Sequence, residues 1–209
     1  MIRSPSAVLA AAATALAIGA PAHAATHIAS FDDLPGIVGQ FDYTMPTGYG
    51  GIDWKSGNWE YLICSATFPC PQAGPDPYPY TPHTYPGFAT VDSDISHDMK
   101  FGFTGGPAVF NGAWVTTFDG DYFGYTLMYQ GVQVWTTGQM PSNAAPSFAA
   151  SGYAGLVDEV DIIASDIGDW AIDDLSFTTA AVPEPASPVM LLAGLMTLSL
   201  AGLAARRRR

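Results

Sequence analysis

The chain is 209 residues long and carries 19 acidic residues against seven Lys and Arg, a formal net charge of −12. Within 25–181 the imbalance sharpens: Lys55 and Lys100 stand alone against 18 Asp and Glu, for a net charge of −16. Such a surface is a poor partner for nucleic acid and anionic lipid, and no nucleic-acid partner is expected. Two Glu and no Arg in this stretch, with abundant Gly, Pro, Thr and aromatic residues, describe strands broken by turns rather than helices.

The first element is a signal peptide over 1–24. Arg3 provides the positive start, Ala7 to Ala20 the uncharged apolar run, and Ala22-His23-Ala24 the small-x-small cleavage pattern, with the cut after Ala24. The run is too short and too Ala-rich to remain as a membrane anchor. Export through the Sec translocon follows.

Candidate strands then come at short intervals: 28–34, 51–54, 59–64, 88–91, 99–103, 108–118, 122–129, 132–136, 148–153, 157–163 and 170–178. Ser56-Gly57-Asn58, Gly120 and Gly131 mark turns between them. Residues 68–86 hold Pro71, Pro75, Pro77, Pro79 and Pro82 and cannot form a central strand. Many short strands at this spacing predict an all-β, antiparallel sandwich of two sheets, of the jelly-roll type, over 25–181.

Cys64 and Cys70 are an even pair in an exported segment, which predicts a disulfide. The small loop it closes would give about 2 kcal/mol on a chain-entropy basis.

The final element is tripartite. Val182-Pro183-Glu184-Pro185 precedes Ala186 to Ala205, twenty residues without a charge, and Arg206, Arg207, Arg208 and Arg209 close the chain. A helix of that length spans about 30 Å, one bilayer core, and the arginines hold its end on the cytoplasmic side. These three parts together resemble the PEP-CTERM sorting domain of Gram-negative bacteria. The resemblance implies that Pro183, Glu184 and Pro185 are recognised by an exosortase in the inner membrane, and that the protein belongs with exopolysaccharide production. Read from the residues alone, the prolines are equally a stiff spacer before a plain anchor.

Three shorter stretches extend the resemblance: Phe31-Asp32-Asp33-Leu34, the glycine-rich run from Gly48 to Trp54, and Ala171-Ile172-Asp173-Asp174-Leu175-Ser176-Phe177. They are similar to jelly-roll domains of PEP-CTERM proteins and to carbohydrate-binding modules. In strict alternation Asp173 shares a face with Leu175 and Phe177 and is carried inward, where a carboxylate needs a partner or a metal. The likeness to carbohydrate-binding jelly rolls implies a structural Ca²⁺ joining the first and last strands, with Asp33 the preferred partner of Asp173 and Asp32 and Asp174 as further ligands. The other reading of Asp173 is a carboxylate that accepts backbone N–H bonds.

Exposed indoles stack on the C–H faces of sugars, while buried ones fill sandwich cores. Trp54 and Trp59, flanking a polar turn, are the glycan-binding candidates. Asp92, Asp94 and Asp98 beside His97 read as a solvated turn. No GxSxG, HExxH or phosphate-loop pattern occurs, while Glu159 and Asp161 share a strand face as a pair of carboxylates that could hydrolyse glycosides. The expectation is a non-catalytic envelope or matrix protein, exported and sorted to the cell surface, that binds polysaccharide. The alternatives are a secreted glycan-active enzyme and a purely structural surface protein.

Overall fold

A computed structural model describes residues 24–38, 43–55, 59–65, 81–91, 99–117, 121–142, 144–165 and 170–181. The signal segment 1–23, Cys70, the Asp92–Asp98 turn and the whole tail from 182 lie outside them, so the expectations placed there stay as expectations. Among the described residues no helix is long and apolar enough to cross a membrane.

Thirteen strands are described: β1 (Thr26–Ala29), β2 (Tyr43–Thr44), β3 (Ile52–Asp53), β4 (Trp59–Ile63), β5 (Gly87–Val91), β6 (Lys100–Phe103), β7 (Ala108–Thr117), β8 (Tyr122–Tyr129), β9 (Val132–Thr136), β10 (Met140–Pro141), β11 (Ser147–Ala150), β12 (Glu159–Ala164) and β13 (Trp170–Thr179). They form two antiparallel sheets. The larger runs β11-β7-β13-β5-β4-β2, with β1 also on β13; the smaller runs β10-β8-β12-β6-β3, with β9 also on β8. From β6 to β8, and again from β11 to β13, successive strands alternate between the sheets. Each crossing buries one face of a strand against the opposite sheet, which makes a sandwich.

The core between the sheets is aromatic. Phe31, Phe101, Phe110, Tyr125 and Trp170 are all at most 1 % exposed. Phe101 meets Phe110 edge-on at 5.6 Å, and Phe110 meets Tyr125 at 4.8 Å. Edge-to-face pairs of this kind add about 1 kcal/mol each beyond their burial.

The first and last strands lie together: β1 pairs with β13 from Thr26↔Thr178 to Ala29↔Leu175. Backbone hydrogen bonds therefore fasten the two ends of the domain. The β8–β9 hairpin turns through Gln130 and Gly131, both at positive φ (52° and 74°), a backbone that follows the twist of the strands it joins.

Candidate functional site

The outer face of the larger sheet carries a group of polar and aromatic side chains around Asp173. It begins with an irregularity in β13, whose register against β7 slips between Asp173 and Ser176. Asp174 sits there at φ 44°, a left-handed conformation that Asp adopts more readily than most residues. The slip resets the alternation. Trp170 and Ile172 face the core before it, and Leu175 and Phe177 face the core after it. Ala171 belongs instead to a second apolar cluster with Leu62, Cys64 and Phe88.

This corrects the facing predicted for Asp173. The residue is buried, at 3 % exposure, but it lines a depression on the outer face together with Ala171, Phe88, Trp114, Pro82 and His83. Chain segment 81–86 lies over it. Thr84 donates its backbone N–H to Asp173 Oδ2 at 2.8 Å, and Asp174 donates its own to Asp173 Oδ1 at 2.7 Å. The Thr84 hydroxyl lies 3.4 Å from both Asp173 Oδ2 and Asp174 Oδ2. His83 places Nδ1 2.6 Å from Asp174 Oδ2 and lays its ring on Trp114, 3.6 Å between centroids and 6° from parallel.

Burial raises the Asp173 carboxyl from 3.8 to about 7; the like charges of Asp174 and Asp32 add to the rise, and the N–H bonds from Thr84 and Asp174 oppose it. The group therefore fastens segment 81–86 onto the sheet. Thr84 is bound by its backbone, His83 by a carboxylate and an indole. The segment then enters β5 at Gly87, where a side-chain carbon would overlap the Phe31 carbonyl oxygen. The Gly87 N–H is taken by Asp32 Oδ1 at 3.2 Å.

The four acids proposed for Ca²⁺ do not make one cage. Asp33 accepts the Tyr49 hydroxyl at 2.6 Å, and burial together with that bond raises the Tyr49 phenol above its usual range. Asp32 holds Gly87, while Asp173 and Asp174 hold segment 81–86. Among the described residues no three His, Cys, Asp or Glu are grouped to hold a metal ion. The second reading, a carboxylate accepting backbone N–H bonds, describes Asp173.

The glycan-binding expectation for Trp59 is overturned: the residue is 2 % exposed and its indole donates to the Lys100 carbonyl at 3.0 Å. Trp54 is half-buried, packs against the core and lies 4.8 Å from the Trp59 ring. Both rings turn toward the core although the residues that separate them in sequence are polar. Cys64 is fully buried, and no cysteine among the described residues is a free thiol.

Glu159 and Asp161 do share one face, as expected, and both lysines of the domain converge on them. Lys55 Nζ is 3.4 Å from Glu159, and Lys100 Nζ is 3.9 Å from both carboxylates. This draws the domain's two strong cations into one ion-paired cluster.

The exposed rings are elsewhere. Trp135 on β9 is 43 % exposed and Phe148 on β11 is 45 % exposed. Among the described residues β9 pairs with β8 alone and β11 with β7 alone, and nothing in the local pattern Val132-Gln133-Val134-Trp135-Thr136 reveals that edge position. No protein-family model and no curated protein matches the chain.

Proposed function

We propose that this is an exported envelope or matrix protein, sorted through its C-terminal tail by an exosortase, whose jelly-roll domain binds extracellular polysaccharide without chemical turnover. The observation that carries the binding role is the pair of large rings, Trp135 and Phe148, left exposed at sheet edges while Phe31, Phe101, Phe110, Tyr125 and Trp170 fill the core. Apolar rings kept in water at the rim of a sealed sandwich favour a surface for ligands. The non-catalytic reading is supported by the engagement of the carboxylates that could act as acid and base: Glu159 and Asp161 by lysines, Asp173 and Asp174 by Thr84 and His83.

Location rests on the tripartite tail, Pro183-Glu184-Pro185 with its apolar run and four arginines, and on the cleavage pattern ending at Ala24. A Cys64–Cys70 disulfide belongs to the same reading. The test is co-sedimentation of the exported protein with exopolysaccharide purified from the producing cells, run beside a reducing-end assay. Binding with no new reducing ends is the expected result. Polymer shortening would make the protein an enzyme, and absence of binding would leave a structural protein.

A further inference from the structure

We infer that Trp135 and Tyr153 form a binding platform for an uncharged polysaccharide chain. This rests on the polysaccharide reading above and assigns it a place and a ligand class.

Trp135 is the most exposed of the five indoles. Trp59 and Trp170 are at most 2 % exposed, and Trp54 and Trp114 are half-buried. Its polar atom is already satisfied, because Nε1 donates to the Ser151 carbonyl at 2.9 Å. The ring of Tyr153 lies near-parallel to it, 18° and 6.1 Å between centroids. Ser151 is a firm foundation for both. It is 2 % exposed, its N–H binds the Asn111 carbonyl at 3.0 Å, and its hydroxyl donates to Phe110 O and accepts the Tyr153 N–H at 3.2 Å. The indole is thus held in one orientation before any ligand arrives, which lowers the entropic cost of binding.

An indole whose N–H is spent inward presents apolar ring to water. The C–H face of a pyranose complements it. Phe148 on β11 is a second exposed ring, packed edge-on against Trp114 with 5.9 Å between centroids. More than one exposed ring suits a polymer better than a single sugar.

Charge decides the class. The domain carries −16, and its two lysines are both drawn to Glu159 and Asp161. An acidic glycan would meet net repulsion and no free cation, so the polymer that fits is uncharged.

Affinity electrophoresis of the exported protein through gels containing cellulosic β-glucan, xylan, galactomannan, dextran or alginate tests this. Retardation by at least one of the four neutral polymers and none by alginate is expected. Trp135→Ala should weaken that binding about 30-fold, Trp135→Phe less, with melting temperatures recorded for both. Hydroxyl-radical footprinting of the wild type with the retarding polymer should protect Trp135 and Tyr153, and it reads the site even if Trp135→Ala fails to fold. Undiminished binding by a folded Trp135→Ala, or protection confined to other residues, overturns the platform and leaves the polysaccharide reading standing. Retardation by alginate alone overturns the ligand class. Retardation by none of the five polymers, with no co-sedimentation with native exopolysaccharide, overturns both readings.

Discussion

Replacing Asp173 by Asn should change how stability depends on pH, and the size of the change follows from burial. The carboxyl moves from 3.8 to about 7 on folding. The folded chain therefore holds a proton that the unfolded chain releases, and stability falls as pH rises. The contribution is complete below the unfolded value and is lost as pH passes the folded one. Its full extent is about 4 kcal/mol, of which about 2 kcal/mol falls between pH 5.5 and pH 8; lower pH is avoided because the sequence pI is 4.3. Urea unfolding at these two pH values, followed by fluorescence of the buried tryptophans, measures it. The reading is the difference between wild type and Asp173→Asn. Asn cannot ionise, and its fixed cost from the bonds to Thr84 and Asp174 cancels between the two pH values. Asp174, Asp32 and His83 surround the site in both proteins, so general charge repulsion largely cancels as well. The gap should move by about 2 kcal/mol in favour of Asn from the lower to the higher pH. A gap constant within about 0.5 kcal/mol would mean that water reaches Asp173, and the account of a buried fastening would fail.

Gly87→Ala should destabilise by about 3 kcal/mol, because its new methyl meets the Phe31 backbone rather than a yielding side chain; for a domain of this size that lowers the melting temperature by about 10 °C. Alkylation of the exported protein without reductant should add no label, and two labelled cysteines would refute the disulfide. Replacing Pro183, Glu184 and Pro185 together with Ala should leave export intact and retain the protein, uncut, in the inner membrane. Arrival at the surface with unchanged mature mass would refute the sorting reading.

Much of the sandwich was legible because its strands alternate cleanly and its turns are marked. β8 and β9 were read to the residue, since Gln130-Gly131 leaves the chain one way to turn. β2 and β10 were missed: two residues each, they have no period to detect. The reading of Asp173 was right about burial and wrong about face, because an irregularity inside β13 breaks the alternation that carried the argument. The outer cover of the larger sheet was hidden for a related reason. β5 is buried at all five positions, so its run of small and apolar residues records two covered faces without naming what covers them. The burial of Trp59 and the exposure of Trp135 were hidden for the same kind of reason: exposure depends on which strand stands at an edge, and strand order is a long-range property.

The pairing of β1 with β13 has a mechanical consequence. β13 is an interior strand, hydrogen-bonded along its length to β7 and near its ends to β1 and β5. If the chain is tethered through its tail, a load drawn through Ala180 enters the domain at that interior strand. A polymer pulling on β9 or β11 would transmit its force across the sheets to the same place. Loaded along its axis, β13 must slide past its neighbours and break many hydrogen bonds together, whereas an edge strand would peel away one bond at a time. A domain so tethered, and held by a bound polymer, would resist traction at an interior strand better than at an edge.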